Sequence, residues 1–358
     1  MPSEAASNLI KLLTPIWQRV LRRSPIGVHD NFFDLGGDPW MAIDLFQEIS
    51  KATKRDLVPL MIYAAPTVGE LSALLESSAS PRFPALVLLK AGTTGTPVFI
   101  IHGLGGNIMG FFQLLKHVQT PHPIYGLQTR GTDGLEEPCS CIEELAHFHV
   151  DAVKTLQPRG PYVLLGYSLG GIVALEVARR LTETGENIAL LGMIDSYPSL
   201  RYAVLAQRLR VLSRRAAHYA SRMLRPLPSK AILDDIRHAN QTSDTLLATA
   251  AHAEVRTSLG IAFTPAMRRV EESARKALQD YEPRYYHGRI RFVRAGTPLH
   301  FPDDPEKVWA KFTDQFEVET VPGNHHELLT THYVSLAAVI SRYLSELSVG
   351  QLTGSSHR

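Results

Sequence analysis

Cysteine is nearly absent. The 358 residues hold two, Cys139 and Cys141, in a single C-S-C. Two are too few for a disulfide framework or a structural zinc site, and they suit a reducing compartment. Charge of one sign is missing as well. Lys and Arg number 37 against 35 Asp and Glu, a net +2, so nothing global draws the chain to nucleic acid. No uninterrupted apolar stretch reaches membrane-spanning length. The opening M-P-S-E-A-A-S-N lacks the basic start and apolar core of a signal peptide. There is no internal repeat. These absences predict a cytoplasmic protein with neither a nucleic-acid nor a membrane partner.

What is present reads as globular, with 44% hydrophobic and 20% charged residues. The chain divides near S-S-A-S-P-R-F-P (77–84), small, polar and proline-bearing as linkers are. The expected units are a helical bundle over 5–77, a linker over 78–84 and a larger domain over 85–347. In the first, Leu9, Leu12, Leu13, Ile16, Trp17, Val20 and Leu21 recur at helical spacing. N-F-F-D-L-G-G-D-P-W-M-A-I-D-L-F (31–46) is a loop entering a second helix, and Thr67 with Glu70 forms a capping box opening a last one.

Beyond the linker, strand and helix alternate. Val98–His102, Tyr162–Gly166, Ala189–Asp195, Ile290–Arg294 and Phe316–Val321 read as strands. Phe112–Val118, Ile142–Leu156, Ile172–Leu181 and Val334–Leu344 read as helices. This is the pattern of an α/β fold, a mostly parallel sheet with helices on both faces. It lapses between Asp195 and Tyr281, a helical insertion that would lie over the sheet as a lid at about 197–281.

The most informative stretch is Y-V-L-L-G-Y-S-L-G-G (162–171). An apolar strand runs into Gly166-Tyr167-Ser168-Leu169-Gly170, and a helix follows. That is the strand–turn–helix setting of a nucleophile elbow, with Ser168 at its apex. A serine nucleophile needs a base, an acid and an oxyanion hole, and on this fold acid and base follow it in that order. His147 and His149 in a helix, and His218 and His252 in the insertion, read as solvated or hydrogen-bonded. His325 and His326 follow a late strand through P-G-N, where the base must arrive, and the pattern favours His325. The acid is Asp195, at the end of A-L-L-G-M-I-D, or one of Asp303 and Asp304 in F-P-D-D-P. A carboxylate ending a buried strand is costly without a partner, which favours Asp195. The backbone N–H groups of Leu169 and of Leu104, in I-H-G-L-G-G-N, are the candidate oxyanion donors.

By I-H-G-L-G-G, G-Y-S-L-G-G, L-G-M-I-D-S-Y-P and V-P-G-N-H, residues 84–345 resemble a type I thioesterase domain of the α/β-hydrolase superfamily. Such domains end nonribosomal peptide and polyketide assembly lines. The resemblance implies Asp195 as acid, His325 as base and the insertion as lid. Residues 7–77 resemble a peptidyl or acyl carrier domain by D-N-F-F-D-L-G-G-D. There the family expects Ser-Leu, the serine bearing phosphopantetheine, and this chain has Pro39-Trp40. Ser50 lies too far along the helix to substitute.

Asp38 as cap and Pro39 at the first helical position should keep the helix intact. The expectation is a folded carrier with no covalent cofactor. It contacts the thioesterase within the chain, and acyl groups arrive as phosphopantetheine thioesters on a carrier in trans. Trp40 is either an exposed anchor or a partly buried filler. Eight basic residues without an acid (Arg201, Arg208, Arg210, Arg214, Arg215, Arg222, Arg225, Lys230) suggest a solvated face or a docking surface for an acidic carrier. The rival functions are an oxoester hydrolase or acyltransferase, and a docking scaffold without turnover.

Overall fold

A computed structural model describes residues 4–37, 39–55, 57–77, 82–93, 95–223, 265–298 and 300–353. The expected linker therefore lies partly outside the described residues, as do most of the insertion, Asp38, and the side chains of Pro39 and Trp40.

Four helices come first: α1 (Glu4–Leu21), α2 (Pro39–Thr53), α3 (Met61–Ala64) and α4 (Val68–Ser77). They close on Leu13, Ile16, Trp17, Phe32, Leu45, Phe46 and Ile49, with Trp17 edge-on to Phe32 at 5.3 Å. The helical spacing of α1 is what turns Leu13, Ile16 and Trp17 to one side. At the start of α4 the Glu70 N–H donates to Thr67 Oγ1 (3.1 Å) and the Thr67 N–H donates to Glu70 Oε2 (3.2 Å). This reciprocal capping box satisfies two donors that the helix cannot. Helix α2 opens at Pro39 itself, where a missing N–H costs nothing.

The rest is an α/β-hydrolase fold. Seven strands run β1 (Leu86–Lys90), β2 (Val98–Ile101), β3 (Ile124–Leu127), β4 (Tyr162–Tyr167), β5 (Ile188–Ile194), β6 (Tyr286–Ala295) and β7 (Thr313–Val321). They lie in the order β1-β3-β2-β4-β5-β6-β7, parallel except for β1 against β3. Strand side chains alternate between two cores. Phe99, Ile101, Tyr162 and Leu164 join one core, with α6 (Ile142–Leu156) and α7 (Leu169–Glu183). Val98, Ile100, Val163 and Leu165 join the other, with α5 (Phe112–His117) and Leu336, Ile340 and Leu344 of a C-terminal helix, Tyr333–Thr353.

Within the insertion, α8 (Leu205–Met223) and α9 (Pro265–Asp280) are helical. Two one-turn helices, α10 (Glu306–Trp309) and α11 (Glu327–Thr330), precede the C-terminal α12 (Tyr333–Thr353). Among the described residues no helix is long and apolar enough to cross a membrane.

The helical unit packs on the sheet domain. Ile43 of α2 and Leu60 are buried in the same core as Phe112 and Met109. Phe33, Tyr63 and Phe112 form one stack, at 5.1 Å and then 6.3 Å between rings. Burying those side chains is the favourable term that holds the two units together. Ile43→Asp would place an unpaired carboxylate in this contact. Small-angle scattering should then report a larger radius of gyration. An unchanged radius would show that other contacts hold the units together.

Candidate active site

Strand β4 ends in a turn that leaves no room for side chains. A Cβ on Gly166 would lie 2.1 Å from the Gly170 carbonyl oxygen, and one on Gly170 would lie 2.3 Å from the Ile101 and His102 carbonyls. Ser168 between them sits at φ 57°, ψ −122°, outside the regions a non-glycine residue ordinarily takes. The turn sets Ser168 immediately ahead of α7, at the positive end of a fifteen-residue helix.

Three predicted residues meet there. His325 Nε2 is 3.0 Å from Ser168 Oγ, and His325 Nδ1 is 2.8 Å from Asp195 Oδ2. The Asp195 carboxylate is only 3% exposed. Its other oxygen accepts the Ala295 N–H at 3.1 Å, and its own N–H donates to the Val293 carbonyl at 2.7 Å. It too has a positive φ, 45°. With a carboxylate on Nδ1, the imidazole proton sits on that nitrogen and Nε2 faces the hydroxyl as an acceptor.

The alternative acids are engaged elsewhere. Asp303 pairs with Arg210 (3.2 Å) and Arg214 (2.6 Å), and Asp304 caps α10 through the Lys307 N–H (3.3 Å). The N–H groups of Leu104 and Leu169 have no acceptor among the described residues. Leu169 is the first residue of α7. A Cβ on Gly103, next to Leu104, would come within 3.8 Å of Ser168 Cβ, so that loop borders the nucleophile.

Two residues outside the predicted set hold the imidazole. The Tyr167 ring stacks on His325 at 4.8 Å and 18°, and its hydroxyl donates to the His325 carbonyl at 2.8 Å. Phe301 packs on His325 at 4.7 Å between ring centroids. Tyr167 lay inside the elbow motif and was legible as a position there. Phe301 arrives on a loop after β6 with no local signal.

Two expectations need correcting. His149 is neither solvated nor hydrogen-bonded. It is fully buried, both ring nitrogens lack a partner, and it lies edge-on to His102 at 5.5 Å. It continues the buried stripe of Ile142, Leu145, Ala146 and Val153 along α6. Nor do Arg214 and Arg215 face outward to dock a carrier. Arg214 donates to the Pro298 carbonyl at 2.6 Å and Arg215 to the His300 carbonyl at 3.0 Å. Gln207 holds the Asp304 carbonyl at 3.0 Å. Helix α8 thus clamps the loop that carries Phe301. The Arg222 side chain, Arg225 and Lys230 lie outside the described residues. Among those described, no three His, Cys, Asp or Glu side chains are grouped to hold a metal ion.

Burial has an acid cost. It pushes His102 down to about 4 and His149 well below its usual range, the latter helped by His102. His326 falls to about 3, through burial first and then through His325 and His300. The unfolded chain takes up a proton at each of these near 6.5, the folded chain only far below, so acid favours unfolding. Stability should fall as pH drops from 7 towards 4, by up to about 1.4 kcal/mol per pH unit for each histidine. Urea unfolding at stepped pH measures this, and a flat profile would contradict it.

The thioesterase domain family model matches residues 96–344, and the phosphopantetheine attachment site model matches residues 11–75. The dimodular nonribosomal peptide synthase of Bacillus subtilis (strain 168) is 36% identical over 190 residues, 53% of this chain and 8% of that protein. Malpibaldin synthetase of Mortierella alpina is 35% identical over 197 residues, 54% of this chain and 4% of that protein. The chain thus spans under a tenth of the length of either relative. Among solved structures, the four-domain nonribosomal peptide synthetase holo-AB3403, bound to AMP and glycine, aligns with a TM-score of 0.58 at 23% identity. That alignment covers 96% of this chain and 26% of that one. The NocB thioesterase domain, in covalent complex with a fluorophosphonate nocardicin G analogue, aligns at 0.50 and 22%, covering 70% of this chain and 96% of that one. These two likenesses speak to the fold. With a family match across most of its length and an α/β-hydrolase sheet beneath it, the chain belongs to the thioesterase domain family, with a carrier-type unit ahead of the catalytic domain.

Proposed function

We propose that the chain releases an acyl or peptidyl group from a phosphopantetheine thioester through an acyl-enzyme on Ser168, and that the thioester reaches it on a carrier in trans. The observation that carries this is the hydrogen-bonded run Ser168–His325–Asp195, at 3.0 and 2.8 Å. His325 Nε2 takes the Ser168 proton as Oγ bonds to the thioester carbonyl carbon. Asp195 keeps the ring oriented and stabilises the imidazolium. The Leu104 and Leu169 N–H groups receive the charge that builds on the carbonyl oxygen. The C–S bond then breaks, the proton passes from His325 to the sulfur, and the thiol leaves. Water, or a hydroxyl or amine of the acyl chain itself, gives its proton to His325 and attacks the ester. The product is a free acid or a ring, and Ser168 is regenerated.

The carrier unit does not fit the group its family carries. Phosphopantetheine is joined through a hydroxyl oxygen, and Pro39 has none. No step is therefore routed through a cofactor on this chain. The phosphopantetheine arm is substrate, brought by another carrier. The clamp made by Arg214 and Arg215 removes those two side chains from the surface available to such a carrier.

Ser168→Ala should reduce thioester turnover by roughly a million-fold, towards the background that binding and oxyanion donors alone sustain. Intact-mass analysis of the unaltered protein with an acyl thioester should show the acyl adduct. Full activity in Ser168→Ala, or comparable rates on matched oxoesters, would reject the proposal. Incubation with a phosphopantetheinyl transferase and coenzyme A should leave the mass unchanged. A gain equal to the cofactor would show that the carrier can be loaded.

A further inference from the structure

The peptide joining Gly103 to Leu104 lies beside Ser168: a Cβ on Gly103 would come within 3.8 Å of Ser168 Cβ. In a trans peptide the C=O and N–H point in opposite directions, so whatever holds the oxygen also aims the hydrogen. The Gly103 oxygen is held twice, by the Gly106 N–H at 3.2 Å and by His102 Nδ1 at 2.6 Å. A carbonyl oxygen can only accept, so the ring proton of His102 is on Nδ1. Opposite that oxygen, the Leu104 N–H has no acceptor among the described residues. Gly103 lets this peptide rotate more freely than any other residue would, which is why a hold on its oxygen matters.

The histidine is otherwise an uneconomical way to fill the space. Its side chain is buried, its Nε2 has no partner among the described residues, and the equally buried His149 ring lies 5.5 Å away, centroid to centroid. A leucine would fill the volume without stranding a polar atom. Both rings are neutral at ordinary pH, because burial depresses their basicity. His102 therefore offers one hydrogen bond and no charge, and that bond goes to the Gly103 oxygen.

We infer that His102 is a positioning residue for the oxyanion hole: its Nδ1–H fixes the Gly103–Leu104 peptide so that the Leu104 N–H points at the oxygen of the carbonyl whose carbon Ser168 attacks. The inference rests on the proposed acyl-enzyme reaction and adds to it the residue that aims one of its two donors.

Two amide variants separate aim from packing. Asparagine carries its amide near the position of Nδ1, glutamine near Nε2. His102→Asn should keep kcat on an acyl thioester within about fivefold. His102→Gln and His102→Leu should lose about 10- to 100-fold, less than outright removal of a donor costs. KM should stay within about threefold throughout, because the donor acts on charge that is present only in the transition state. Rates of Ser168 labelling by a fluorophosphonate should fall in the same order. His102→Leu turning over like the unaltered protein, or Asn and Leu losing equally, would overturn the inference.

Should the variants not fold, long-range 15N–1H correlation on the unaltered protein still decides. An Nδ1–H tautomer at His102 supports the inference, and an Nε2–H tautomer ends it. Absence of Ser168 labelling in the unaltered protein would instead count against the acyl-enzyme reaction itself.

Discussion

The turn between β4 and α7 closes only because Gly166 and Gly170 have no side chains, and the catalytic geometry follows from that closure. The Ile101 and His102 carbonyls stand where a Cβ on Gly170 would be. The end of β2 is therefore pressed against the start of α7, and the loop after β2 has to pass beside Ser168. On the other side, the Ser168 N–H donates to the Ile194 carbonyl (2.9 Å), one residue before Asp195. Ser168, Asp195 and the Gly103–Leu104 loop are thus gathered by backbone contact among three neighbouring strands, before any side-chain interaction is counted. The positive φ angles of Ser168 and Asp195 are the conformational cost of this gathering. The surrounding sheet, with β2, β4 and most of β5 buried, is what makes that cost sustainable.

The helix that follows Ser168 also carries a deeply buried charge at its middle. Glu176 is fully buried and pairs with Arg179 (2.6 Å), Arg180 (3.2 Å) and Arg284 (3.3 Å), and it accepts a hydrogen bond from the Tyr281 hydroxyl at 3.3 Å. A lone carboxylate in that position would be prohibitive, and surrounding it with guanidinium groups offsets the loss of hydration. Tyr281 and Arg284 follow α9, so the base of the insertion is tied to the nucleophile helix. The other end of the insertion, through Arg214 and Arg215, is tied to the loop that packs Phe301 on His325. The described parts of the insertion therefore contact both the helix that follows Ser168 and the loop that packs Phe301 on His325.

Much of this was legible in the sequence where local pattern and tertiary role coincide. The buried strands β2, β4 and β5 are continuous apolar runs, and α6 matches its expected span, with Ile142, Leu145, Ala146 and Val153 buried at helical spacing. Two strands escaped. Strand β1 is a half-exposed edge with Leu88 50% exposed, and β3 is four residues long and contains Gly126, so neither carries a strong period. The reasoning that a carboxylate ending a buried strand needs a partner led to the aspartate that lies against His325. Reasoning from residue type alone did worse. His147, Arg201, Arg208 and Arg210 are exposed as that reasoning expects, yet His149 is in the core and Arg214 and Arg215 reach the Pro298 and His300 carbonyls. Side-chain direction is set by what the helix packs on, and a charge count along the chain does not contain it.

The small helical unit poses the remaining physical question, which is why a carrier-type fold persists when its attachment position holds proline. The helix needs no serine there, since proline at its first position sacrifices no hydrogen bond. The unit also has something to lose if it unfolds. Ile43 and Leu60 are part of the hydrolase core, and Tyr63 continues an aromatic stack onto Phe112, at the head of α5. Unfolding the unit would expose that face of the catalytic domain. Selection on the contact would then act on Ile43, Leu60 and Tyr63 and leave position 39 free to vary. The packing of Ile43, Leu60 and Tyr63 on the catalytic domain is therefore a constraint on the helical unit that is independent of position 39.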